Sequence, residues 1–132
     1  MLTDPANRAI AIERVAARVG RIARNAADLG VPDLTIVEGT APAALRNLPR
    51  PDAVFIGGGV SATIDAAWEA LPSNGRLVAN GVTIETQAEL IHRFKSLGGS
   101  LKTIQIAQAD PIGGYNAMHS ARPVTQWSAT KP

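Results

Sequence analysis

The sequence predicts an α/β domain, a doubly wound and mostly parallel sheet with an antiparallel strand pair at its C-terminal end. Three observations predict it. Short apolar runs alternate with stretches of helical period from residue 9 to residue 98. Glycines punctuate the junctions, at 30, 39, 57–59 and 98. Beyond 98 the helical period stops, leaving two extended runs joined by a glycine-containing loop. At 132 residues the chain is read as one domain, 1–132, long enough to bury a core.

Composition narrows the function classes. Hydrophobic residues make up 45% and charged residues 18%, as in soluble globular proteins. A net charge of +2 is too small to argue for a nucleic-acid partner. With no cysteine, disulfides, thiolate metal sites and cysteine nucleophiles are excluded. The two histidines, His92 and His119, are far apart in sequence, so no metal site is expected. No secretory signal or membrane-length apolar run stands out, and a cytoplasmic location is the default expectation.

In order, "AIAIE" (9–13) is an apolar run ending in Glu13. The next helix puts Val15, Val19, Ile22, Ala26 and Leu29 on one face, with Gly30 at the position that ends a helix in left-handed conformation. Arg14, Arg18 and Arg21 share another face, most simply a solvated one, with Arg24 on the same helix. "LTIVEG" (34–39) is the second strand, followed by a short helix from Pro42 to Leu48. "DAVFIGGG" (52–59) is the third strand, running into glycines. "SATIDAAWEAL" (61–71) is a helix with Ser61 as N-cap and Ile64, Ala67, Trp68 and Leu71 facing inward. "GRLVANGV" (75–82) is the fourth strand, and Glu85 to Leu97 a helix stopped by Gly98. "SLKTIQIAQAD" and "PVTQWSA" are the closing strands, joined by the loop "PIGGYNAMHSAR" (111–122), with Trp127 read as packing.

Ligands of such sheets bind beyond the carboxyl ends of the parallel strands. Those ends are Glu13, then Gly39-Thr40-Ala41-Pro42, then Gly57-Gly58-Gly59, then Asn80. An acid at Glu13 suits a ribose diol, and equally a solvated turn or an N-cap. The glycines allow close approach of a ligand, and equally a tight turn. "GGGVSA" satisfies G-x-G-x-x-G/A, which gives the alternative of a dinucleotide-binding oxidoreductase. That fingerprint expects an acid at the next strand end, where this chain has Asn80. Tyr115, Asn116, Met118, His119 and Arg122 share one loop and form a second group of candidates.

"PDAVFIGGG", "GRLVANGVTIET", "VEGTAPAAL" and "IAQADPIGG" followed by "ARPVTQWS" resemble the decarboxylating precorrin carbon-15 methyltransferases of cobalamin biosynthesis. These occur alone or as the C-terminal half of a fused precorrin-6Y C5,15-methyltransferase. The resemblance runs from about Arg8 to Ser128 and implies a Rossmann-like class I methyltransferase fold. It implies S-adenosyl-L-methionine as cofactor, and methylation of a precorrin ring carbon with loss of an acetate carboxylate. It also implies a homo-oligomer, a tetramer, with neither nucleic acid nor membrane as partner.

Carried over by position, Glu13 holds the ribose hydroxyls, Gly39, Thr40 and Ala41 border the adenine, and Gly57 and Gly58 approach the methyl group. Gly59, Asn80, Thr83, Glu85 and Arg122 are the substrate-side candidates, with Arg93 a further cation for substrate carboxylates. His119 and Tyr115 are candidates for a catalytic acid by type and location alone. Two departures stand out. Thr40 replaces the acid of many relatives, and Gly81 the usual alanine. A third lies at the front, where the family's first strand and glycine-rich loop are expected and only seven residues precede Arg8. The sequence is therefore read as an N-terminally truncated member, expected to bind its cofactor weakly or to persist as a non-catalytic fragment.

Overall fold

The computed structural model describes residues 8–132. The chain divides into two compact units, one ending at Leu48 and the other starting at Pro49.

The first unit comprises β1 (Ile10–Glu13), α1 (Ala16–Asp28), β2 (Thr35–Glu38) and a 3-10 turn over Ala43–Asn47. The two strands pair in parallel from Ile10↔Thr35 to Glu13↔Glu38. Parallel neighbours need a crossover, and α1 supplies it. Gly30 ends that helix as expected: its φ of 75° lets Gly30 N donate to Ala27 O at 3.1 Å and Val31 N to Ala26 O at 2.8 Å. Of the expected apolar face Ala26 is buried and Val19 and Ile22 are half-buried, whereas Val15 and Leu29 at its ends are exposed. Two corrections apply at the helix start. Val15 is the N-cap, not Glu13, and Arg14 precedes the helix and does not share its charged face.

The second unit holds β3 (Ala53–Ile56), α2 (Val60–Ala70), β4 (Arg76–Gly81), α3 (Ile84–Leu97), β5 (Ser100–Ile104), β6 (Ala107–Ile112), β7 (Tyr115–Ser120) and β8 (Val124–Thr130). Its main sheet runs β3-β4-β8-β5, with β3 parallel to β4 and β8 antiparallel to both its neighbours. Strand alternation turns Leu77, Ala79, Trp127 and Ala129 to one face. There they pack with Ile56, Val60, Ile64, Ala67, Leu71 and Leu90. Trp127 is fully buried and donates from Nε1 to Gly98 O at 2.9 Å, which uses the one polar atom its burial would otherwise strand. The expected inward residues of α2 are all in or against this core.

Several expectations of local structure are corrected here. The α2 N-cap is Gly59, with φ 64° and no side-chain cap, rather than Ser61. The left-handed turn after β3 is a conformation that glycine adopts without strain. The strand expected over 100–110 divides into β5 and β6, and the loop expected over 111–122 is the β6–β7 hairpin, paired from Ala107↔Ser120 to Ile112↔Tyr115. A two-residue Gly113-Gly114 turn, with φ 57° at the first glycine, closes it. Finally, Arg93 is engaged within the fold: it bridges Asp65 of α2 and Glu89 of α3, each at 2.7 Å. Burial works against its charge, but the hydrogen bonds and charges of Asp65 and Glu89 prevail and hold its pKa above the usual value.

Candidate functional site

In the first unit the expected residues gather at the carboxyl ends of β1 and β2. Glu13 pairs with Glu38 in register, and Gly39 N donates to Glu13 O at 3.0 Å, so the Gly39–Ala41 turn leaves the sheet beside Glu13. The Glu13 carboxylate is mostly buried, its side chain 19% exposed. Oε1 accepts from Val15 N at 2.9 Å, while Oε2 stands 4.0 Å from Arg18 Nη1. One oxygen is thus fixed by the helix start, and the other makes only the long approach to Arg18. At Gly39 a Cβ would come within 3.2 Å of the Ala44 Cβ, so the turn folds tightly on the segment behind it.

In the second unit β3 and β4 end side by side. Ile56 pairs with Ala79, which makes Gly57 and Asn80 the next residues along. A Cβ on Gly58 would meet nothing within 4 Å, and one on Gly57 would meet only the Phe55 ring. The glycine turn is therefore open to whatever approaches it. Asn80 is half-buried, and its Oδ1 accepts from Gln126 Nε2 at 2.9 Å. Past Gly81, Thr83 is the N-cap of α3: Oγ1 accepts from Thr86 N at 3.1 Å and donates to Thr86 Oγ1 at 2.9 Å. Glu85 lies exposed in the first turn of α3, where a negative charge suits the helix dipole. Gly81, Val82, Thr83, Ile84, Gln87, Pro123 and Thr125 line a cavity of about 200 Å3, and Gln87 Nε2 donates to Thr125 Oγ1 at 3.0 Å beside it. Arg122 immediately precedes its Pro123 wall.

Tyr115 and His119 lie elsewhere, on exposed β7 of the hairpin. His119 Nδ1 is 3.1 Å from Asp110 Oδ2, a diagonal pair across the hairpin. Among the described residues no three His, Asp or Glu side chains cluster to hold a metal. Gln126 was missed by the sequence reading. The alternation in "VTQWSAT" marks its strand, but the partner Asn80 follows only from the pairing register.

A family model described as a precorrin methyltransferase domain matches residues 1–131. The precorrin-6Y C(5,15)-methyltransferase [decarboxylating] of a Sinorhizobium species is 57% identical over 133 residues, covering 99% of this chain and 32% of that protein. The chain thus spans about a third of the length of the precorrin-6Y relatives it matches, with 32% and 33% in the first two. The C-terminal domain of the Rhodobacter capsulatus precorrin-6Y C5,15-methyltransferase superposes with a TM-score of 0.83 at 45% identity, over 94% of this chain and 68% of that one. An S-adenosylmethionine-dependent O-methyltransferase of Thermotoga maritima, 19% identical, superposes with a TM-score of 0.67 over 96% of this chain and 50% of that one. That distant likeness shows the class I methyltransferase fold. The match along nearly the whole sequence goes further than the fold, and the chain belongs to the family of precorrin methyltransferase domains.

Proposed function

We propose that the chain serves S-adenosylmethionine-dependent methylation of precorrin carbon 15, coupled to decarboxylation of an acetate arm, within a cytoplasmic homo-oligomer. The observation that carries the reading is Glu13. It stands at a parallel strand end with one carboxylate oxygen tied to Val15 N and the other available to a ribose diol. Gly39, Thr40 and Ala41 border the adenine through backbone groups and the Thr40 hydroxyl, and Gly57 and Gly58 admit the methyl-bearing end. When bound, the cofactor supplies an electrophilic methyl group that carries its own leaving group. The protein's part is to align donor and acceptor and to exclude water. Gly59, Asn80, Thr83, Glu85 and Arg122 line the substrate side, and the electrons released with carbon dioxide drain into the conjugated macrocycle, which then takes up a proton. His119 and Tyr115 are the residues to test as its source.

Calorimetric titration with S-adenosylhomocysteine tests this reading. Glu13→Ala should weaken binding by at least about tenfold, as expected for hydrogen bonds to a charged group, with Glu13→Gln intermediate. Absence of heat from the folded parent chain would favour the non-catalytic fragment. The oligomer, a tetramer by resemblance, is supported by the hairpin: Ile112, Tyr115 and Met118 are 61%, 83% and 68% exposed on a two-stranded element. Light scattering of the purified chain checks it, and Met118→Asp should lower the mass.

A further inference from the structure

The β3-β4-β8-β5 sheet has two unlike faces. One turns Leu77, Ala79, Trp127 and Ala129 into the core. The other carries Arg76, Val78 and Asn80 on β4, with Gln126 and Ser128 on β8. Asn80 and Gln126 are direct cross-strand partners there, both half-buried, joined by the 2.9 Å bond from Gln126 Nε2 to Asn80 Oδ1. On its other flank Gln126 pairs in register with Lys102 of β5, so a cation shares its face.

A carboxamide is a dipole with an acceptor end and a donor end. Gln126 turns its amino group to Asn80, and a cation on the neighbouring strand favours that choice over the reverse. That choice makes the Asn80 oxygen the inward acceptor and turns the Asn80 amino group away from the pair. Nδ2 then has two N–H donors and no partner among the described residues. It stands one residue from the end of β4, where Gly57 is its neighbour and Gly58 leaves open space.

We infer that Gln126 is a positioning residue, holding the Asn80 carboxamide donor-outward so that the carboxyl end of β4 accepts a carboxylate arm of the tetrapyrrole substrate. This rests on the function proposed above and adds a polarity to its substrate side. A carboxylate only accepts hydrogen bonds, so a reversed Asn80 would present it with an oxygen and repel it.

The test uses the 15N-labelled full chain and its side-chain amide signals. In the parent the Gln126 amino protons should be protected from exchange and those of Asn80 unprotected. Gln126→Glu places an acceptor-only side chain beside Lys102, so the fold keeps its Tm while Asn80 reverses and its amino protons become protected. Uroporphyrin, a tetrapyrrole bearing carboxylate arms, should shift the Asn80 signals of the parent and bind Gln126→Glu at least about tenfold more weakly. Gln126→Lys, a donor-only side chain, should retain the affinity. Because the two variants also differ in charge toward a polyanion, Asn80 itself decides: a merely structural pair would leave its amino protons equally unprotected in Gln126→Glu and Gln126→Lys. Protected Asn80 amino protons in the parent, or undiminished affinity in Gln126→Glu, would overturn the inference. A response of Asn80 to S-adenosylhomocysteine and not to uroporphyrin would overturn it too, by assigning the donor to the cofactor's carboxylate. Failure of methyl transfer with the uroporphyrin pattern intact would count against the proposed activity alone.

Discussion

At Gly81 an added Cβ would land on Cγ2 and Cβ of Thr86 in the first turn of α3. Glycine at this strand end thus has a local reason, since Thr86 occupies the space a methyl group would need. Gly81→Ala should cost about 1–3 kcal/mol through overpacking. Thr86→Ser, which removes Cγ2 and keeps the hydroxyl bonded to Thr83, should return part of that loss. A double-mutant cycle by thermal melting checks the pair, with a coupling of at least about 0.5 kcal/mol expected. Strict additivity would mean that the helix start shifts to accommodate the methyl. Residues of this kind mark the limit of sequence reading. Glu13, Gly57 and Asn80 were legible because strand ends are legible. The Val15 amide on Glu13, the Thr86 methyl against Gly81 and the Gln126 amide on Asn80 each depend on distances that no periodicity encodes.

Among elements, α2 has the most heavily tied end. Lys131 Nζ donates to the carbonyls of Trp68 and Leu71 at 2.8 Å and of Glu69 at 3.2 Å, while Arg50 Nε reaches Ala70 O at 3.1 Å. Two cations therefore satisfy carbonyls that the helix end leaves unpaired, and they favour its negative dipole end. Lys131→Met keeps the apolar stem and removes the donors, and should lower stability by about 1–2 kcal/mol, read by chemical denaturation. An unchanged midpoint would show that water replaces the ammonium without loss. The Arg93 bridge between α2 and α3 adds a second tie. Because its folded pKa is raised, its contribution is present below the ordinary arginine value and is lost only as pH rises through the raised one. It therefore confers no pH dependence in the neutral range. The helices and the parallel strands were legible from period and glycine punctuation. The β6–β7 hairpin was not, although "IGGY" is a two-residue glycine turn between extended runs. Its strands escape the pattern because both faces are almost wholly exposed, so neither needs the apolar alternation that a core imposes.

For the whole molecule, burial is unequally shared between the two units. Among the described residues Ala26 is the one buried side chain of the first unit, whose sheet has two strands. The second unit buries ten hydrophobic residues in one cluster across a four-stranded sheet. Alternation of strand and helix reads alike in both units, so the pattern alone does not announce this difference in burial. Pattern reports which residues face inward, whereas stability depends on how much apolar area is then covered. Opening free energies should differ accordingly. In native-state hydrogen exchange the amides of β1 and β2 should exchange at least about tenfold faster than those of β4 and β8, whose strands surround the Trp127 core. S-adenosylhomocysteine at a concentration well above its Kd should then slow exchange at Glu13, Gly39 and Thr40, because a ligand that binds only the closed form raises the cost of opening. Uniform protection of both units without ligand would mean that buried apolar area does not set the order of opening. Ligand-induced protection confined to Gly57–Gly59 and Asn80 would mean that the adenosyl end does not reach the β1–β2 edge, and Glu13 would lose its assigned role.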